Sequence, residues 1–214
     1  MKLKIDLDIA GIQRDNVHGW SDKDGVVLHE TVSPDYRGLK DLIQISNYLD
    51  EKDFGIQSVI DLEAHIAHAR GLGRAIFYHS DSSGGKGNGN INTRKIGIEL
   101  ISRVMIDYPD DDVAWKVWNF RRDAQLRAAG KLIAALARAH GDSSQGAASG
   151  STSEEFLQNC SGPGPGITTH WEVTQAYGVP GGHVDCHPRH LGGYFPKLKV
   201  IAYSRFYYNL GYKF

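Results

Sequence analysis

Cysteine is scarce in this chain: Cys160 and Cys186 are the only two. They are too few for a disulfide scaffold and are not spaced as in a zinc finger. One bridge between them is conceivable, but free thiols are the expected state in a reducing compartment. Charge of one sign is also lacking. Twenty-four Lys and Arg against 25 Asp and Glu leave a formal charge of −1 and a pI near 6.8, so no broad basic field exists to hold nucleic acid or an anionic membrane. No apolar run is long enough to span a bilayer, and Met1-Lys2-Leu3-Lys4-Ile5-Asp6-Leu7-Asp8 alternates charged and apolar side chains where a signal peptide would be continuously apolar. The expectation is a protein made soluble in the cytoplasm that leaves, if at all, by another route. Internal repeats, heptads and membrane-binding amphipathic helices are missing as well. The 214 residues suffice for one substantial core, and nothing in that length demands a second domain.

What the chain does have is a crowd of metal donors near its C-terminal end. Ile167-Thr168-Thr169-His170 is followed by Gly182-His183-Val184-Asp185-Cys186-His187-Pro188, and far upstream Gly25-Val26-Val27-Leu28-His29 carries a histidine out of the end of an apolar run. Donors drawn from separated segments suit an open catalytic zinc site, which keeps one position for water, better than a structural zinc with four ligands in close pairs.

Between these segments the pattern alternates strand and helix. Gly25–His29 reads as a buried strand, and residues 39–49 read as a helix with Leu39, Leu42, Ile43, Ser46 and Leu49 on one stripe. Residues 54–60 and 64–69 read as two strands joined across Asp61-Leu62-Glu63, with a further strand at 74–79. His65 and His68 would share a face on a helix, whereas on the favoured strand their odd separation sends them to opposite faces, so no metal is expected there. Residues 80–93 read as a Gly/Ser/Asn loop; Gly85-Lys86 lacks the spacing and following helix of a phosphate-cradling loop. Lys95–Ile101 is strand-like, and its Glu99 either sits on an edge facing water or is a carboxylate held at the sheet's end as a proton acceptor. Residues 113–139 give the longest helical pattern, and Gly141–Ser153 reads as a flexible loop interior to the domain, since a boundary there would split His29 from His170.

Taken together and in order, Val27-Leu28-His29-Glu30-Thr31, Asn92 ahead of Ile96-Gly97-Ile98-Glu99-Leu100, and Thr169-His170 followed by a clustered His-x-Asp-Cys resemble the zinc-dependent N-acetylmuramoyl-L-alanine amidases. This is the type-2 amidase group, which includes phage endolysins and peptidoglycan recognition proteins. The resemblance runs from about Val26 to Pro188. It implies an α/β fold, a mixed central β-sheet flanked by helices on both faces, in a single catalytic domain spanning 1–214 with its core at about 20–205. It implies Zn2+ as cofactor, muramyl-peptide in peptidoglycan as substrate, a monomer, and neither nucleic acid nor membrane as partner. An endolysin would wait in the host cytoplasm until its release to the wall, and a cytoplasmic wall-recycling enzyme is the alternative setting. Carried over by position, His29 and His170 match the first two zinc ligands. Aligning His183-Val184-Asp185 with the family's Lys-x-(Asp/Cys) step makes Asp185 the third, with Cys186 competing one residue out of register.

Two departures follow. Gln175–Gly182 looks like an insertion before the third ligand, and His183 stands where many members have Lys, exchanging a fixed charge for an imidazole that titrates near ~6.5 when unperturbed. The tyrosine that assists catalysis in some members, near Ile56 here, is absent, which shifts the base role to Glu99. His183 would then join the metal in stabilising the oxyanion. Thr31 and Tyr78 are candidate substrate contacts, each with an equally good structural reading, and Tyr78-His79 either lines the groove or ends a strand. His187 and His190 read as surface or supporting residues, and the aromatic run at 203–212 as a helix that closes the core rather than a sugar platform. The rival readings are a peptidoglycan-binding module that does not cut and a zinc peptidase acting on the stem peptide.

Overall fold

The computed structural model describes residues 1–31, 38–52, 54–77, 79, 89–102, 120–141, 151–178, 185–186 and 195–214. Among them, six strands form one mixed sheet: β1 (Leu7–Asp8), β2 (Gly25–Glu30), β3 (Ser58–Ile60), β4 (Ile66–His68), β5 (Lys95–Leu100) and β6 (Gly166–Thr169). Their order is β1-β4-β3-β5-β2-β6. β3, β5, β2 and β6 are parallel neighbours, and β4 returns antiparallel to β3. The helices are α1 (Ala10–Gln13), α2 (Leu39–Glu51), α3 (Gly89–Arg94), α4 (Asp123–Gly141), α5 (Ser153–Phe156), α6 (His170–Tyr177) and α7 (Lys197–Asn209).

Strand alternation divides the core. Val26, Leu28, Ile96, Ile98, Leu100 and Ile167 face the long helix α4, which contributes Leu126, Leu132, Ile133 and Leu136, and α7, which contributes Val200 and Ile201. A fully buried Leu or Ile contributes roughly 1.5–3 kcal/mol over an exposed one, so this face is the main anchor of the sheet. Gly130 lets α4 and α7 cross closely, because a Cβ there would lie 2.5 Å from the Cβ of Tyr203. The opposite face splits in two: Ile9, Leu42, Ile45, Val59 and Ala67 under α1 and α2, and Val27, Ile91 and Val173 under α3 and α6. The expected fold, a mixed sheet with helices on both faces, is therefore the observed one. Among the described residues no helix is long and apolar enough to cross a membrane.

Several local expectations change. In α2 the buried residues are Leu42, Ile45 and Ser46, while Leu39 and Ile43 are exposed; the stripe is rotated toward Ile45. β3 begins at Ser58 rather than Phe54, because side chains take over the pairing before it: Gln13 Oε1 accepts from Ile56 N, and Gln57 bridges Gly97 N and Ala75 O. Of the expected strand at 74–79, Ala75 makes one isolated bridge to Trp20, and Tyr78 lies outside the described residues. The end of the expected Gly/Ser/Asn loop is helix α3. Tertiary contacts override its composition: Ile91 is fully buried, and the buried Lys23 ammonium donates to the carbonyls of Asn92 and Thr93. The β3–β4 turn is held by Asp61, whose carboxylate accepts from the backbone N–H of Gly38, Glu63 and His65 and from the His65 ring. His65 thus belongs to that turn, and only His68 lies on the strand. The C-terminal aromatic run closes the core as part of α7, with Tyr207 buried. Cys160 and Cys186 are free thiols.

Candidate functional site

The parallel strands end on a common edge, the place where open α/β sheets gather ligands. His29, one residue from the end of β2, projects to the same face as Val27 and lies directly opposite Glu99 of β5. Across the other neighbour, Leu28 pairs with Thr169, the last residue of β6. The chain turns from strand to helix at that point through a capping box: Thr169 Oγ1 accepts from Glu172 N at 3.3 Å, and Glu172 Oε2 accepts from Thr169 N at 2.9 Å. His170 is consequently the first residue of α6, its backbone fixed on both sides. Asp185 arrives from a distant segment and is tied down twice. Its carbonyl accepts from Trp171 N at 3.2 Å, and the neighbouring Cys186 donates its thiol to the carbonyl of Leu28 at 3.2 Å.

Three side chains meet there. His29 Nδ1 is 3.1 Å from His170 Nδ1 and 3.2 Å from Asp185 Oδ2, and His170 Nδ1 is 2.8 Å from Asp185 Oδ1. All three residues are buried. Four-coordinate zinc with ligands at about 2.0–2.1 Å separates neighbouring donors by about 3.3 Å, so the triangle has the edge lengths one cation needs. The donor chemistry agrees. Burial pushes the Asp185 carboxyl up, but the imidazoles of His170 and His29 outweigh it and hold the group well below the usual carboxylate range. Asp185 Oδ1 is also buried, and its close neighbour is the His170 ring at 2.8 Å, an anionic oxygen among imidazoles that suits a cation.

Cys186, the competing third donor, is not in this triangle. Its Sγ bonds the main chain, and burial together with Glu30 and Asp185 pushes its thiol well above the ordinary range, away from the thiolate that binds metal. Glu99 is neither on an edge nor in water: β5 is flanked by β3 and β2, and Glu99 is 7% exposed. Burial, then Asp185 and Glu30, raise its carboxyl well above the ordinary value, and it makes no hydrogen bond to the described residues. Thr31 continues the β2–β5 ladder, donating its N–H to Leu100 O at 3.1 Å and accepting from Ser102 N at 3.3 Å. His183, Tyr78, His187 and His190 lie outside the described residues.

The contact that sequence reasoning missed is His79 on His29. Its Nδ1 lies 3.2 Å from His29 Nε2, and its Nε2 lies 3.3 Å from the carbonyl of Lys95. The available signal was Gly97, a residue without a side chain inside a strand of Ile and Leu. A Cβ there would come within 2.7 Å of the His79 ring.

The amidase family described as N-acetylmuramoyl-L-alanine amidase matches residues 19–185, well over half of the chain. The chain belongs to this family. Its fold is similar to that of the Staphylococcus aureus hydrolase AmiA, solved in complex with its ligand, at 15% identity and a TM-score of 0.53 over 91% of this chain and 76% of that one. Further matches are the Ph2119 endolysin from the Thermus scotoductus MAT2119 bacteriophage Ph2119 and the PlyG catalytic domain. The endolysin shows 14% identity and a TM-score of 0.42 over 74% of this chain and 77% of its own. The PlyG domain shows 12% and 0.47 over 85% and 90%. No curated protein sequence matches the chain. Within the family match fall His29, Glu99, His170 and Asp185, so the family's segment and the geometric cluster coincide.

Proposed function

We propose that this amidase-family protein is a zinc-dependent N-acetylmuramoyl-L-alanine amidase that degrades bacterial cell wall, in the setting of a phage endolysin that its resemblance implies. The bond cut joins the lactyl carbonyl of N-acetylmuramic acid to the amine of L-alanine. One observation carries this reading: two imidazole nitrogens and a carboxylate converge at the sheet's edge while a buried carboxyl, Glu99, stands beside them on the next strand.

His29, His170 and Asp185 would hold the metal. When bound, zinc supplies positive charge at the scissile carbonyl and a more acidic water, with a pKa brought toward ~7. Glu99 takes the proton released as water attacks and returns it to the leaving amine. Its raised affinity for protons suits both halves of that exchange, since a carboxyl at the ordinary value would be a weaker base at neutral pH. Asp185 stays anionic, balancing the charge gathered at the site. His183 is assigned to the oxyanion, and Thr31 and Tyr78 to the substrate, by their motif positions.

The test is Glu99→Gln on purified cell walls. Zinc content should be unchanged while turnover falls by roughly 10²–10⁴, the usual worth of general acid–base catalysis. Wild-type digests should yield a free lactyl carboxyl and a new L-alanine amine in equal amounts. Lysis undiminished by Glu99→Gln removes Glu99 from the base role, and new amines only within the stem peptide make the protein a peptidase.

A further inference from the structure

We propose that His79 is a positioning residue that sets the tautomer of His29, so that the Nδ1 lone pair of His29 faces His170 and Asp185. This rests on the reading of His29 as a metal ligand and adds a residue to it. The geometry runs in one direction. A backbone carbonyl only accepts, so the His79 nitrogen 3.3 Å from Lys95 O, Nε2, carries a proton. His79 is 7% exposed, and its two ring nitrogens face a backbone carbonyl and the His29 ring, a setting that favours an uncharged imidazole. A neutral ring protonated on Nε2 bears its lone pair on Nδ1, which therefore accepts from His29 Nε2 at 3.2 Å. With a proton on Nε2 engaged there, a neutral His29 turns its Nδ1 lone pair toward His170 and Asp185, 3.1 and 3.2 Å away. The opposite tautomer would set two lone pairs against each other at His79 and aim an N–H at the point where a cation would sit.

The rest of the fold holds His79 in place. Its backbone N–H donates to the side-chain oxygen of the buried Asn92 at 3.3 Å. The ring stands edge-on to His29, 86° between planes and 5.4 Å between centroids. Its seat is the gap left by Gly97, which a methyl group would close.

The experiment reads the tautomer directly. Long-range ¹⁵N–¹H correlation spectra of the metal-free, full-length protein should show His29 protonated on Nε2. His79→Phe, which keeps a ring but accepts no hydrogen bond, should mix the two tautomers and weaken zinc binding roughly 10–100-fold in a chelator competition, as loss of a ligand's supporting partner does. His79→Gln, whose carboxamide oxygen accepts, should recover much of that loss. The proposal is overturned if wild-type His29 is protonated on Nδ1, a result that needs no variant to fold, or if His79→Phe leaves both tautomer and zinc affinity unchanged. Failure of the wild type to bind zinc at all would remove the metal reading, while the metal-free spectrum would still decide what His79 does to His29.

Discussion

Histidines are buried at both ends of the parallel strands, and only one end gathers them. Where β2, β5 and β6 finish, His29 touches both His79 and His170, and Asp185 completes the set. At the other end, His68 and His140 line a cavity of about 830 Å³ together with Trp20, Arg70, Arg74 and Phe214. There His68 bonds Ser58 Oγ at 2.8 Å and stacks on Phe214, and His140 stacks on Phe156. Among the described residues neither hydrogen-bonds a carboxylate, and burial pushes both imidazoles down to about 4. A third arrangement lies between these extremes. Asp61, Glu63 and His65 bring acids and an imidazole together, yet Asp61 spends its oxygens on three backbone N–H groups and the His65 ring. Room, burial and donor type are thus each insufficient. The amidase end differs in bringing two imidazole nitrogens and a carboxylate from three separate segments within 2.8–3.2 Å of one another.

The largest effect expected from this contrast comes from removing imidazoles one end at a time. His29→Ala and His170→Ala should each abolish zinc binding and wall lysis, exceeding the roughly 10–100-fold loss expected for a supporting residue. His68→Ala and His140→Ala should retain stoichiometric zinc and lyse walls at the wild-type rate per folded molecule. Metal analysis beside a turbidity assay decides it, and zinc retained by His29→Ala would dissolve the distinction between the two ends.

The sequence made the favoured end legible because its donors sit in segments with strong local signals. β2 and β5 are mostly apolar runs that carry His29 and Glu99 near their ends, and Thr169-His170 opens a helix with a cap and its Glu172 partner. Asp185 against Cys186 was not decidable from spacing, since a one-residue shift of register is invisible until Cys186 Sγ is seen on Leu28 O. Glu99 was ambiguous for a related reason: strand order determines whether an acid in an apolar run meets water, and that order comes from pairings far apart in the chain. α3 escaped composition because its stability lies in Ile91 and Lys23, contacts that local propensity does not contain. His79 escaped for the same reason, its partner lying fifty positions away.

A second, smaller effect sharpens the contrast through pH. His68 and His140 have folded values of about 4 against an ordinary 6.5, so below pH 6.5 the unfolded chain binds protons that the folded chain refuses. The stability is complete above about 6.5 and is lost as pH falls toward 4, on the order of 3 kcal/mol for each imidazole. Denaturant midpoints of metal-free protein at pH 7 and 4.5 should fall steeply, and less so in His140→Phe, which keeps the stacking on Phe156. An equal fall in that variant would place the acid lability elsewhere.

The smallest effect separates stability from function at two identical caps. α5 and α6 both begin with a Thr whose hydroxyl accepts from a Glu three residues on, while that Glu accepts from the Thr N–H. Thr152→Ala and Thr169→Ala should therefore each cost about 1 kcal/mol. Their consequences differ because Thr152 opens a helix remote from the metal donors, whereas Thr169 ends β6 and begins the turn of helix that aims His170. Losing the cap at Thr169 frees the first turn of α6, and the His170 ring loses its fixed approach to His29 and Asp185. Thermal melts should thus drop alike in the two variants while zinc affinity weakens in Thr169→Ala alone. Equal zinc affinity in both would mean that the Trp171 N–H to Asp185 carbonyl contact holds this corner without the cap.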